Sequence, residues 1–466
     1  MKRAEAALVQ KAKEALERSL GPSLVKQDAD TLAAYGRDES DTGEFPADLV
    51  VFCERTEHVQ EVFRACQTLG VPVTPVAARS GKSGGSLPLY GGVSMSLERM
   101  RRIKRLAVED LIIVVEPGVI TGDIHKAVEA QGLFYPPDPN SWEFCSIGGN
   151  VAENAGGPRA LKYGVTRDYV LGLEWVLPSG EVVRVGRQTI KGVAGYDLVG
   201  LFVGSEGTLG VATEITLQLI PLPKRVRTAL IVFPSVLHAA RAVSAVLAAG
   251  ILPRTLELLD DVSLRAVDGR GGVSFPKGAS AAVLAEVDGN VDEALLGELS
   301  SVGEICEREG ALETLVAQTE EQRDKLWAAR RTLSTALRAL KPFKISEDIA
   351  VPRSRIAEVI ERLKALGQEL GLTVATYGHA GDGNLHANIL FDGPGDRAKV
   401  DEAVARMLRL TVEVGGTITG EHGVGYAKRD FLGLEQGPSL IELQRSVKRL
   451  LDPKGLLNPG KIFPER

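Results

Sequence analysis

Val73-Thr74-Pro75-Val76 runs into Arg79-Ser80-Gly81-Lys82-Ser83-Gly84-Gly85-Ser86, a short strand feeding a glycine-rich loop. Glycines let consecutive backbone N–H groups close on an anion, so such a loop can form a phosphate nest. Two better-known phosphate loops do not fit. Gly81-Lys82-Ser83 has the ending of a Walker A loop, but that motif needs a glycine where Val76 stands. Gly204-Ser205-Glu206-Gly207-Thr208-Leu209-Gly210 has the wrong glycine spacing for a dinucleotide fingerprint, and it leads into a strand instead of opening a helix. Further along, Ser146-Ile147-Gly148-Gly149-Asn150-Val151-Ala152-Glu153-Asn154-Ala155-Gly156-Gly157 reads as a poor helix and a poor strand. Its backbone is expected to lie along something flat. Taken singly, the 79–86 and 146–157 loops are explained equally well by tight turns.

Outward from these loops the pattern is α+β. Strand-like runs (Leu49–Phe52, Val93–Ser96, 111–115) alternate with helical stretches (57–69, 122–130). Pro178-Ser179-Gly180 reads as a hairpin turn, and 209–219 as the next strand. Pro221-Leu222-Pro223 is a natural linker, and the main boundary is set there. Beyond it, strands at 229–233 and 281–286 alternate with helices at 235–249 and 292–301. Residues 1–20 read as a charged amphipathic helix stopped at Gly21-Pro22, not as a signal peptide. The apolar stretch 228–252 is interrupted by Pro234, His238 and Arg241, so it reads as strand plus helix and not as a membrane span.

The 466 residues call for two or three domains, and a net charge of −6 argues against nucleic acid as a partner. Cys53, Cys66, Cys145 and Cys306 are scattered with no Cys-x-x-Cys, which suggests a reducing compartment and no cysteine-held cluster within the chain. A cytoplasmic location is expected, with attachment to a membrane only through a partner.

The chain has 6 histidines, and three of them fall in two glycine-flanked segments, His379-Ala-Gly-Asp-Gly-Asn-Leu-His386 and Glu421-His422-Gly423. If Asp382-Gly383 is a two-residue hairpin turn, His379 pairs with His386. Two imidazoles on one face about 5 Å apart can grip a divalent ion. Asn384 and Asn388 share that face, and Leu385, Ala387 and Ile389 form an apolar reverse. Glu421 would complete a His-His-Glu set, leaving His422 free as a base. The alternatives are a solvated histidine pair, a surface acid and a loop histidine.

Together these segments resemble a known family. The loop 79–86, Pro137-Asp138-Pro139 through Gly157, Tyr163–Asp168, Gly195-Tyr196-Asp197-Leu198 and 204–210 resemble the FAD domain of the vanillyl-alcohol-oxidase/p-cresol-methylhydroxylase (PCMH) superfamily. Gly378–His386 and Gly420–Gly423 are similar to the branch holding the glycolate oxidase flavin subunit, FAD-linked D-lactate dehydrogenase and D-2-hydroxyglutarate dehydrogenase. The resemblance runs from about Tyr35 to Phe463.

It implies an α+β chain: a helical segment 1–42, a PCMH-type FAD-binding domain 43–222, and an α+β substrate (cap) domain 223–466 with an antiparallel sheet. The stretch from about 415 would return to the FAD domain. It implies pyrophosphate on Gly81, Ser83, Gly84, Gly85 and Ser86, and the flavin along Pro139, Ser141, Ser146, Gly148, Gly149 and Asn154. Glu206, Gly207, Gly210 and Val211 would lie near the adenine. FAD is expected to be dissociable, since the chain has no histidine between His58 and His125 to tether it. Arg330, Lys344 and Ser334 are implied in binding the substrate carboxylate, joined by Asn388 and His422; solvated helix charges are the alternative for Arg330 and Lys344. A metal (zinc, manganese or iron) on His379, His386 and Glu421 and His422 as base imply oxidation of a small 2-hydroxy acid. The implied acceptor is an iron–sulfur subunit, electron-transfer flavoprotein, cytochrome or quinone; a homodimer is left open. Other readings are a same-fold flavoenzyme acting on another alcohol or an ether lipid, and a non-catalytic subunit of a larger complex.

Overall fold

The computed structural model describes residues 3–269 and 274–465. The chain divides into two compact units, the first made of 1–155, 165–222 and 422–466, the second of 156–164 and 223–421.

The first unit holds two main sheets. In the four-stranded sheet, Leu49–Phe52 and Val73–Val76 each run parallel to Val93–Ser96, with Val25–Lys26 antiparallel at the edge. The three parallel strands are almost wholly buried, as parallel strands usually are, and Leu49–Phe52 is apolar throughout. They pack on helices Ala6–Leu20 and Thr56–Leu69. The helix Ala6–Leu20 buries Val9, Ala12 and Leu16 there, so residues 1–42, read from the sequence as a segment apart, fall within this unit. The five-stranded sheet is antiparallel, in the order Ile103–Ala107, Ile112–Val115, Val211–Gln218, Val170–Val176, Val182–Gly186. Its core includes Trp175 stacked on Phe202 at 4.6 Å.

One expectation fails here. The stretch 146–157 is not irregular, because Ile147–Glu153 is a helix. Ser146 caps it, accepting from Gly149 N, and Asn154 ends it in the left-handed region. Ile147 and Val151 are buried in the core. Tertiary burial of one apolar face outweighs the poor propensity of Gly148 and Gly149.

The second unit is a seven-stranded antiparallel sheet. Its order is Glu313–Val316, Arg225–Phe233, Ala281–Gly289, Thr255–Asp260, Thr373–His379, Asn384–Phe391, Phe343–Ala350. Helices Asp261–Val267 and Glu320–Leu337 cover one face, burying Leu264, Leu333 and Leu337 against Leu259, Leu284 and Leu390. Helices Val236–Ala248, Asp292–Arg308 and Ile356–Leu370 pack on strands of the same sheet. The mixed α+β class with an antiparallel second sheet is as the resemblance implied. Among the described residues no helix is long and apolar enough to cross a membrane.

Candidate active site

His379 ends one central strand and His386 lies in the next. The turn between them differs from the expected one. The register opposes His379 to Asn384, Gly378 to Leu385 and Tyr377 to His386, so residues 380–383 form a four-residue loop. Gly383 N and Asp382 N both donate to the His379 carbonyl, at 3.0 and 3.2 Å. The expected pairing is thus displaced by two residues, and a period of two leaves both histidines on one face. Their rings meet edge to face, 5.2 Å between centroids and 88° between planes. Leu385, Ala387 and Ile389 are fully buried on the other face.

Glu421 joins them. Its Oε1 lies 3.7 Å from His379 Nε2 and 3.6 Å from His386 Nε2. The three donor atoms all lie within 4.8 Å of one another. Asp348 holds this arrangement from the neighbouring strand: its Oδ2 accepts from Thr419 Oγ1 at 2.8 Å, Gly420 N at 2.8 Å and Glu421 N at 2.9 Å. Its Oδ1 accepts from Asn384 Nδ2 at 2.6 Å. Gly420 is required there, because a Cβ would lie 2.1 Å from Asn384 Nδ2.

Glu257, on the strand beyond His379, accepts from His379 Nδ1 and from Arg330 Nε, the latter at 2.6 Å. Burial alone would raise the Glu257 carboxyl, but the Arg330 and His379 charges override it and bring it down to about 2. Burial likewise opposes charge on His379, and Glu257, then Glu421, outweigh it and raise the imidazole well above its usual range. With Nδ1 tied to a carboxylate, Nε2 is the nitrogen aimed at Glu421. This is the carboxylate–histidine arrangement of metal sites. The donor set therefore fits a divalent ion.

Helix Glu320–Leu337 presents Trp327, Arg330 and Ser334 along one face. Trp327 Nε1 donates to Glu286 at 2.8 Å, and the Arg330 guanidinium lies 4.7 Å above the Tyr377 ring. Lys344 Nζ donates to Ser334 Oγ at 2.5 Å. Arg330 is buried, Nε is taken, and its terminal amines have no protein hydrogen-bond partner among the described residues. Asn388 donates to the carbonyls of His386 and Ala375, and its buried Oδ1 has no hydrogen-bond partner among the described residues. The structure thus gathers Arg330, Ser334, Lys344, Asn388, His379, His386 and Glu421 within one unit. His422 follows next in the chain and belongs to the other unit.

In the first unit, the backbone N–H groups of Gly81, Ser83, Gly84, Gly85 and Ser86 donate to no protein acceptor among the described residues. Gly81 opens on free space, with nothing within 4 Å of a Cβ. Such a run of unengaged amides fits an anionic phosphate. Several other residues expected at the cofactor also have local structural contacts. Gly148 packs on Pro117, whose Cβ would meet an added methyl at 2.6 Å, and Gly210 packs on Trp175. Gly207 faces Pro75. Asn154 accepts from Arg167 N at 2.9 Å. Gly149 donates to Ser146 Oγ, the Ser141 carbonyl accepts from Cys145 N, and that of Pro139 from Trp142 N. Val211 opens a buried strand. Glu206 is turned to residues 424 and 425.

Comparison with known proteins shows the family. Residues 47–186 match the family described as "FAD binding domain" and residues 222–462 the one described as "FAD linked oxidases, C-terminal domain". The chain belongs to the FAD-linked oxidases. This FAD-linked oxidase is 40% identical over 453 residues to the glycolate oxidase subunit GlcD of Bacillus subtilis, covering 97% of this chain and 96% of that one. It is 37% identical to a D-lactate dehydrogenase of Anaerostipes hadrus, covering 93% and 91%. Its fold resembles p-cresol methylhydroxylase with substrate bound, at TM-score 0.83 and 17% identity over 98% of this chain and 97% of that one.

The sequence reading missed Glu257, Asp348 and Tyr377. Glu257 left a signal, an acid inside the apolar run Leu256-Glu257-Leu258-Leu259.

Proposed function

We propose that this FAD-linked oxidase removes hydride from C2 of a small 2-hydroxy acid to give the 2-oxo acid, with glycolate and D-lactate the first candidates. One observation carries the reading: the His379, His386 and Glu421 donor atoms cluster within 4.8 Å, and Glu257 ties Arg330 to that cluster. The glycolate oxidase and D-lactate dehydrogenase names of its relatives support it.

A 2-hydroxy acid offers a carboxylate beside a hydroxyl. The terminal amines of Arg330 pair with the carboxylate, while Glu257 keeps the guanidinium oriented. Lys344, held by Ser334, adds a second cation, and Asn388 a polar contact. His379, His386 and Glu421 would hold zinc, manganese or iron, which when bound supplies Lewis-acid polarisation of the hydroxyl. His422 takes the hydroxyl proton on its imidazole. FAD, held without a covalent link on residues 43–222, supplies the hydride acceptor when bound. Residues 223–466 carry the substrate. The electrons pass on to an iron–sulfur subunit, electron-transfer flavoprotein, cytochrome or quinone, in a cytoplasmic enzyme that reaches a membrane only through such a partner.

Anaerobic mixing of the holoenzyme with glycolate, D-lactate, L-lactate and D-2-hydroxyglutarate tests this. Bleaching of the flavin by at least one is expected, and no bleaching by any overturns the substrate class. His422→Ala is expected to keep flavin and metal and to lose reduction by about 10²-fold or more. Full activity in that variant removes His422 from the mechanism.

A further inference from the structure

Within the first unit, the turn that begins at His422 is held by two other stretches of chain. Both carboxylate oxygens of Glu206 are given to it: Oε1 accepts from Val424 N at 2.9 Å and Oε2 from Gly425 N at 2.6 Å. The Ser83 carbonyl accepts from Tyr426 N at 2.8 Å and Ala427 N at 3.0 Å. The fit is close. A Cβ on Gly423 would lie 2.1 Å from Glu153 Oε2, and one on Gly425 would lie 2.2 Å from the Ser83 carbonyl oxygen.

Glu206 is itself fixed. Its φ is 51°, in the left-handed region that side chains avoid. Its N–H donates to the Ala152 carbonyl at 2.8 Å, and its carbonyl accepts from Asn458 Nδ2 at 2.9 Å. A strained residue with a buried carboxylate persists only where its surroundings over-determine it. Burial raises the carboxyls of both Glu153 and Glu206. Glu153 has the charges of Glu206 and Asp38 added to that, whereas Glu206 has two amides and Lys461 set against it. The two backbone N–H donors favour the charged form of Glu206, which therefore holds its charge more readily than Glu153.

We propose that Glu206 is a positioning residue for His422: its carboxylate clamps the 423–425 turn behind the base, and Ser83 ties the same turn to the glycine-rich phosphate loop. This rests on the function proposed above, which gives His422 its role. The clamp itself is a matter of hydrogen bonds and can be measured without turnover.

The test uses holoenzyme carrying Glu206→Gln, alone and with His422→Ala. An amide group turns an N–H donor toward one of two backbone N–H groups, so one bond is lost. Flavin reduction by substrate is expected to slow on the order of 10²-fold, the cost of a misplaced catalytic group, while KM moves by less than about 3-fold. In the His422→Ala background the same substitution is expected to cost less than about 2-fold, since residues acting as a unit are non-additive. Hydrogen exchange at the amides of 424 and 425 is expected to quicken, with peptides from 373–391 unchanged. Glu206→Asp, which keeps the charge but shortens the reach, gives an intermediate loss and serves if the glutamine variant does not fold. Wild-type rates in both single variants, an equal loss with and without His422, or unchanged exchange at 424 and 425 each overturn the proposal. If no 2-hydroxy acid reduces the wild-type flavin, the proposed function falls, and the exchange measurement alone upholds or overturns the clamp.

Discussion

Glu257 is bonded to two side chains at once, His379 and Arg330, and it is fully buried. It ties the candidate metal donor His379 to Arg330, the cation proposed to meet the substrate carboxylate. Removing the charge while keeping the shape, Glu257→Gln, is expected to weaken metal binding by about 10- to 100-fold, read by metal titration of the apo protein. It should also raise KM more than it lowers kcat, because Arg330 loses its anchor. The sign of the pH effect follows from a carboxyl held at about 2 against an ordinary value of 4.5. The unfolded chain binds the proton first, so the stabilisation is present above the ordinary range and is lost as pH falls toward the folded value. Acid unfolding of the glutamine variant should therefore be shallower than that of wild type over that interval, and identical slopes would contradict the assignment. His379 and His386 were legible in the chain because scarce histidines sit among glycines, while Glu421 was a candidate only through its glycine-flanked place beside His422 and the family resemblance. Glu257 was not, because it lies 122 positions from His379 and only strand pairing makes them neighbours.

The hairpin Thr373–His379/Asn384–Phe391 is the element on which the site depends. Gly383 has φ of 89°, and a Cβ there would lie 2.1 Å from the Val351 carbonyl oxygen. Gly383→Ala is expected to cost about 1–3 kcal/mol from backbone conformation alone, with the clash added, and to lower the melting temperature measurably. An unchanged melting temperature would show that the loop relaxes freely. The turn length was misread from Asp382-Gly383, since a two-residue turn and a four-residue loop share the same turn residues. The face survived the error because both registers differ by an even number of residues. Helix Ile147–Glu153 shows the opposite case, in which a locally unfavourable sequence is made helical by the core it buries.

At the scale of the whole molecule, the candidate metal donors and the glycine-rich phosphate loop belong to different units. Chelation is therefore expected to strip metal from the second unit while FAD stays bound, leaving a yellow protein that substrate no longer reduces. Metal content and flavin spectrum measured together check this, and loss of FAD alongside the metal would mean the two sites are not independent. The boundary at Leu222 and Pro223 coincides with a Pro-Leu-Pro linker. The assignment of 156–164 to the second unit had no such marker. That segment is held there by Lys162 and Tyr163, which both donate to Asp288, Tyr163 at 2.8 Å.

The amino-acid order alone determined the α+β class, the glycine-rich loop 79–86 and the His379/His386 pair of the candidate metal set. Each of these is a property of neighbours along the chain: hydrophobic period, turn chemistry, or rare residues close together. Tertiary structure alone decided the hairpin register, the partnership of Glu257 with Arg330 and His379, the support of Glu421 by Asp348, and the grip of Glu206 on residues 424 and 425. Those are contacts between segments far apart in the chain, and they exist only once burial has made an unpaired polar group costly enough to demand a partner.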